Sequence, residues 1–340
     1  MGTNVFRRLI HAATAAILLV GGAACRATPT PTTVSVPTAA PTIAPPTRAP
    51  TPVPTFTLAP TPTPEPTPAP GACGQQGSMT VLLLGENLPE DRPARGAGAI
   101  RLVGVDYDAR TVRVLSLPPY LWVDTPALSA VGVEAATLAR AYQVALAIGP
   151  GSERANMAYA SDVLSQTLAH NFGLVPDHTV SIRQGAFVDM IDALGGLSID
   201  LPEDVDGSSS GLGYYAAGEQ VLDGQAVLDY VTIYPALGDE PPVEWDRLER
   251  QNQVLQALRA QLTRPETLLK LPGLIRQFHQ DVVTDLGLEQ LLALGCLLGV
   301  EDVSVEYLEL GSDLVTLGED KILFPKTDEI VAYLETAFAQ

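Results

Sequence analysis

Positive charge is scarce in this chain. Its 340 residues include 20 Lys and Arg against 39 Asp and Glu, a formal net charge of −19 at pH 7. Residues 73–340 hold 16 of the basic and 38 of the acidic residues, a net −22. A surface of that sign repels a phosphate backbone and excludes nucleic acid as a partner. Any polyanionic ligand must be met by a local basic patch or a divalent cation. Histidine is also rare: His11, His170, His178 and His279 show no metal-ligand spacing, and no Cys–His pairing marks a nucleophile. The apolar stretch 9–20 is too short and wrongly flanked for an ordinary spanning helix.

What that stretch does resemble is a secretory signal. Arg7 and Arg8 form a short basic region, the apolar run follows, and Gly21-Gly-Ala-Ala-Cys25 supplies small residues up to a cysteine. Small residues before a cysteine resemble the bacterial lipoprotein processing site, although the usual Leu three places earlier is Gly22 here. The expectation is a lipoprotein-type signal over 1–25 with Cys25 lipidated, two acyl chains holding the protein stably on the outer side of a membrane. Plain secretion is the alternative. Residues 26–72 are mostly Pro, Thr, Ala and Val, a composition that builds no core and favours polyproline II. This disordered tether would reach on the order of 140 Å at about 3.1 Å per residue. Two cysteines then remain, Cys73 and Cys296: either a disulfide joining the ends of the fold, or a buried thiol at 296 with Cys73 unpaired.

Residues 73–340 show no composition break and read as one domain. Met79-Thr-Val-Leu-Leu-Leu-Gly85 is a buried strand; 100–107 and 111–117 are strands joined by a tight hairpin at Asp108-Ala-Arg110, with 120–124 extended beyond them. Helical patterns at 136–148, 160–172, 187–194, 223–231 and 247–262 alternate with strands at 179–183 and 197–201. A helix at 266–278 interrupted by Pro272, a helix at 288–298, a strand at 304–310 and a helix at 327–338 complete the pattern. Such interleaving predicts an α/β fold, a three-layer α/β/α sandwich around a central mixed sheet. Gly195-Gly196 follows a helix and precedes a strand, the order of a C-cap rather than a phosphate loop. Asp200, Glu203, Asp204 and Asp206 lack EF-hand spacing and read as a solvated turn.

The scarce cations concentrate in Glu244-Trp-Asp-Arg-Leu-Glu-Arg-Gln251. In a helix Arg247, Arg250 and Gln251 share one face at i, i+3 and i+4. Two guanidinium forks beside a helix start suit a phosphate or pyrophosphate. The blander alternative is an exposed turn in which Glu244 and Glu249 pair with the neighbouring arginines.

Over residues 78–340 the chain resembles the LytR–CpsA–Psr family. The likeness rests on Val81-Leu-Leu-Leu-Gly85, Val114-Leu-Ser-Leu-Pro118 with Trp122-Val-Asp124, and Asn156-Met-Ala-Tyr159. It continues in Ile191-Asp-Ala-Leu-Gly-Gly196, in Ala217-Gly-Glu-Gln-Val-Leu-Asp-Gly-Gln225 running on to Tyr230-Val231, and in Arg247-x-x-Arg250-Gln251. The resemblance implies an apolar groove for a polyprenyl chain, with arginines and Mg2+ holding a pyrophosphate at its mouth. It also implies transfer of a glycopolymer from that lipid to peptidoglycan. Several family positions are changed. Gly96-Ala-Gly-Ala99 stands where the family has Arg-x-Asp-Thr, Pro119-Tyr120 where it has Arg-Asp, and Thr232-Ile-Tyr234 where it has Arg-x-Arg. Two readings follow. One is a tethered binder of polyprenyl-linked glycan or lipid with weak or no catalysis, keeping Arg247, Arg250 and Gln251. The other is an active phosphotransferase with a rebuilt site, in which Arg92, Arg95 or Arg101 replaces lost cations and Glu244 or Asp246 binds the metal.

Overall fold

A computed structural model describes residues 72–87, 96–233, 243–268, 270–278, 281–300, 302–318 and 322–338. The expected signal and Cys25 lie outside them, as do nearly all of the tether, Arg92, Arg95 and Tyr234. After a 3-10 turn at Ala72–Gly74 comes a meander of β1 (Ser78–Asn87), β2 (Gly96–Asp106) and β3 (Thr111–Ser116). A small ribbon of β4 (Trp122–Asp124) and β5 (Ala135–Thr137) leads to α1 (Leu138–Ile148) and α2 (Glu153–Phe172). Next come β6 (His178–Ile182), α3 (Gln184–Leu194), β7 (Leu197–Leu201), β8 (Val205–Asp206), β9 (Tyr214–Tyr215), β10 (Gly218–Leu222) and α4 (Gly224–Thr232). The last part holds α5 (Val243–Leu262), α6 (Pro265–Leu268), α7 (Leu271–Phe278), β11 (Val282–Thr284) and α8 (Leu288–Leu298). It ends with β12 (Ser304–Glu309), β13 (Val315–Leu317), β14 (Leu323–Pro325) and α9 (Thr327–Ala337).

Six strands form the central mixed sheet in the order β11-β6-β1-β2-β3-β12. The meander is antiparallel, while β6 runs parallel to β1 and β12 parallel to β3. Strand side chains alternate between faces, so this sheet has two apolar sides. On one, Leu82, Leu84, Ile100, Leu102 and Leu115 pack with Tyr142 of α1, Leu164 and Leu168 of α2 and Leu334 of α9. On the other, Val81, Val105, Val112 and Val114 meet Ala293 and Leu297 of α8. A Cys73–Cys296 disulfide, with the sulfurs 1.97 Å apart, ties the opening turn to α8. A two-stranded sheet of β7 and β10 packs against α3, α4 and α5 through Ile191, Leu197, Val227, Tyr230 and Val254. The result is the three-layer α/β/α sandwich.

Several boundaries differ from the sequence pattern, each for a local reason. α2 starts at Glu153 rather than 160, because the Ser152 hydroxyl accepts from the Ala155 N–H at 3.3 Å and caps it. α1 starts at Leu138 because residues 135–137 pair with β4 and Thr137 caps the helix. The helix expected at 266–278 is broken ahead of Leu271, not at Pro272. As the second residue of α7, Pro272 lacks an N–H that would have had no partner anyway. Most relevant to function, α5 starts at Val243, four residues early, with Glu244 and Asp246 in the first turn where the helix dipole favours acids. The N–H groups of its open end therefore do not belong to Arg247 and Arg250. Gly195 closes α3 in the left-handed region at φ +90°. Among the described residues no helix is long and apolar enough to cross a membrane.

Candidate functional site

The second face of the sheet is not filled along its whole length. Between β1, β6, α3 and α5 lies a cavity of about 510 Å3. It borders α5 from Arg247 to Leu262, roughly 22 Å at the helical rise of 1.5 Å per residue. Phe187, Met190, Ile191 and Leu194, spaced i, i+3, i+4 and i+7, turn the apolar stripe of α3 into one wall. Leu255, Leu258 and Leu262 of α5 form another. One end is marked by Arg247 and Gln251, with Arg101 and Gly98 hydrogen-bonded to them and Glu86 also in the lining; Arg154, Gln184, Thr232 and Thr284 are the other polar residues that border the cavity.

A slip in strand register builds that polar end. Gly85 pairs with Ala99 and Glu86 with Ala97, leaving Gly98 without a partner on β1. Such bulges redirect backbone groups next to functional sites. Here the Gly98 carbonyl accepts from Arg247 Nη1 at 2.8 Å and, more weakly, from Gln251 Nε2 at 3.4 Å. Glu244 takes the rest of the Arg247 fork, Oε1 accepting from Nη2 at 2.5 Å and Oε2 from Nε at 3.2 Å. All of this is buried: Arg247 is 1% exposed and Glu244 8%. The exposed-turn alternative is therefore half right, since Glu244 does pair with Arg247, but inside the protein.

Arg250 goes elsewhere. Its Nε donates to the Tyr230 carbonyl at 3.1 Å, its Nη2 donates to the Ile233 carbonyl, and the guanidinium lies 5.9 Å from the centre of the Tyr230 ring. Burial pulls its pKa below the ordinary value, partly offset by Tyr230. It staples the end of α4 to α5. Of the three residues expected to clamp a phosphate, Arg247 and Gln251 reach the cavity and Arg250 holds the scaffold.

Three charged residues of the cavity lie outside that expected clamp: Arg101, Glu86 and Arg154, the last donating through Nη1 to the Val282 carbonyl at 2.8 Å. Arg101 is 1% exposed, its Nη2 donating to Gln251 Oε1 at 2.7 Å and its Nη1 to the Ile100 carbonyl at 3.1 Å. Its Nε has no hydrogen-bond partner among the described residues. Burial first, then repulsion from Arg247, pulls its pKa down to about 9, with Glu244 opposing. Glu86 accepts from the Tyr142 hydroxyl at 2.7 Å, and that hydroxyl also shares a hydrogen bond of 2.9 Å with Ser181 Oγ. Burial, then the Glu86 charge, raises the Tyr142 pKa well above the ordinary range, so it stays a neutral donor. The signal for Arg101 is in the sequence: a lone cation inside the apolar run Ile100-Arg101-Leu102.

Glu244 and Asp246, the two acids expected to hold a metal, do not come together as a divalent-cation site. Both Glu244 oxygens are committed to Arg247, and Asp246 is exposed rather than beside Glu244 in the cavity. Among the described residues no group of three His, Cys, Asp or Glu side chains is placed to hold a metal. The Asp200–Asp206 turn is likewise spoken for: Asp204 accepts from the Tyr214 hydroxyl and the Ala217 N–H, and Asp206 from the Ser208 N–H.

Known proteins share this fold. The solved structure of TagV from Bacillus subtilis, 19% identical, covers 78% of this chain and 98% of TagV at a TM-score of 0.58. Regulatory protein MsrR of Staphylococcus aureus is 25% identical over 223 residues, 63% of this chain; the match spans 59% of MsrR's own length. The probable cell wall biosynthesis protein LcpB of Corynebacterium glutamicum is 37% identical over 125 residues, 36% of this chain and 29% of LcpB. The family model of the LytR_cpsA_psr family matches residues 60–337, most of the sequence. The chain belongs to the LytR–CpsA–Psr family.

Proposed function

We propose that this protein works in cell-envelope glycopolymer assembly, holding a polyprenyl-(pyro)phosphate-linked glycan or lipid with weak or no catalysis. The observation that carries the reading is the cavity, apolar along α5 and cationic at one end. An apolar hollow of this size forfeits dispersion contacts while empty and offers water few partners. An isoprenoid chain supplies the missing contacts, and Arg247 and Gln251 face its phosphate end. The relatives' names agree in theme: LcpB is a probable cell wall biosynthesis protein. TagV, 27% identical over 168 residues, is named a polyisoprenyl-teichoic acid–peptidoglycan teichoic acid transferase.

Weak catalysis follows from the site's chemistry. Transfer of a phosphoryl group needs preorganised charge at the reacting oxygens, and losing one such group commonly costs a factor of about a hundred or more. Here Glu244 is tied to Arg247, so it is poorly placed to take a proton or a metal. Arg247 and Gln251 bind and orient, while the walls exclude water. Under this reading Cys25 is lipidated, the tether spans the space above the membrane, and peptidoglycan lies within reach; a mature protein without an acylated Cys25 would end the anchoring part. Mass spectrometry of lipid extracted from the purified full chain tests the core. A co-purifying polyprenyl phosphate species is expected; none, with no binding when one is added, overturns the reading. Turnover of lipid-linked glycopolymer onto acceptor glycan, lost in Arg247→Ala, would favour the active phosphotransferase instead.

A further inference from the structure

We infer that Arg101 is the charge-neutralising residue for a phosphate ester in this cavity, and that it binds the anion without a metal ion. The inference rests on the proposed function and goes beyond it. A guanidinium this deeply buried needs its donors satisfied and its charge balanced. Neither condition is met from the described residues. Arg101 Nε has no partner; Arg247 repels it, Glu244 is held by Arg247, and Glu86, the other carboxylate of this end, accepts from the Tyr142 hydroxyl. The side chain rises from β2 on the face that carries Val103 and Val105, lines the cavity, and meets Gln251 of α5 at its tip. One anion at this end would supply the missing acceptor and the missing charge together.

The same geometry makes a metal redundant. A cation bridging an anion to carboxylates needs carboxylates free to bridge; Glu244 is committed to Arg247, and Glu86 accepts from the Tyr142 hydroxyl. Arg101 and Arg247 are two guanidiniums on one cavity end, a pattern suited to forked hydrogen bonds with phosphate oxygens. A buried cation already in place performs the neutralisation that a divalent ion otherwise provides. The ligand chemistry is a phosphate or pyrophosphate, carried by a prenyl chain or free in solution.

Calorimetric titration of the full chain with farnesyl phosphate, farnesol and inorganic pyrophosphate tests this, each with EDTA and with magnesium. Farnesyl phosphate is expected to bind tighter than farnesol, equally well with EDTA. Arg101→Met should weaken farnesyl phosphate by about tenfold or more, the size of a lost charged hydrogen bond. The same change should leave farnesol affinity and the circular dichroism spectrum as they were. Arg101→Lys, which keeps the charge, should recover most of the loss. Pyrophosphate binding as tightly as farnesyl phosphate, and equally sensitive to Arg101→Met, would support the anion site and assign it to a free anion. Affinity that collapses in EDTA, or Arg101→Met binding farnesyl phosphate like the parent, overturns the inference while the prenyl reading stands. No binding of farnesol or farnesyl phosphate overturns both.

Discussion

Leu82, Leu84 and Leu102 on one face of the sheet are packed solid by α1, α2 and α9, while Leu83, Val180 and Ile182 on the other face look into a cavity. Both sets come from the same sheet by the same alternation, and both are apolar. The difference lies in what the helices bring. α2 presents Leu164 and Leu168, which seat directly on the sheet. The first part of α5 presents Arg247 and Gln251, which reach the sheet only through their long side chains, at the Gly98 carbonyl and the tip of Arg101. Those polar props stand at one end of the hollow, and beyond them Leu258 and Leu262 line open space. A hollow of this kind is thus built by polar spacers, not by a shortage of apolar residues.

Removing a prop should have the largest effect. Arg247→Ala strands the buried Glu244 carboxylate and should cost about 3–5 kcal/mol in urea denaturation; the double change Glu244→Gln with Arg247→Met should recover most of it. If the single variant unfolds like the parent, the pair is not a structural prop. Next comes the direct contrast of the two faces. Leu164→Ala on the filled face should cost about 2–5 kcal/mol. Leu258→Ala on the hollow face already borders space, so it should cost less than about 1 kcal/mol while weakening farnesyl phosphate binding. Equal losses of stability would erase the distinction between the faces.

The smallest effect belongs to a site on neither face. The Tyr214 hydroxyl, then the Ala217 N–H, hold the Asp204 carboxyl below its ordinary pKa. A carboxylate with a folded pKa below its unfolded one adds stability above the unfolded value and loses it as pH falls through the folded value. Asp204→Asn should therefore be slightly less stable than the parent at pH 7, and the gap should close in acid. Farnesyl phosphate affinity should not change in this variant.

The segments that carry the family resemblance turn out to be largely scaffold. In Leu222-Asp-Gly-Gln225, Asp223 caps α4 by accepting from the Ala226 N–H at 2.8 Å. Gly224 lies so close to α3 that an added Cβ would sit 2.2 Å from the Val188 carbonyl oxygen. Asp192 accepts from the Gly224 N–H at 2.7 Å, and Gly195 ends α3. These are local rules of capping and close approach, so they are legible in one dimension, as was the alternation of strands and helices. The site was legible only in part. Arg247 and Gln251 announce themselves by helical spacing, but the same spacing includes Arg250, which a turn of α4 captures. Arg101 meets Gln251 across 150 positions of sequence, and the Gly98 carbonyl is exposed to Arg247 by a register slip. No local pattern encodes either event.

A crystal structure of the full chain with farnesyl phosphate would place the ligand directly. Phosphate density is expected within hydrogen-bond distance of Arg101 and Arg247, with the isoprenoid running along Leu255 and Leu258. A phosphate bound away from Arg101, or a chain lying outside the hollow, would contradict this placement.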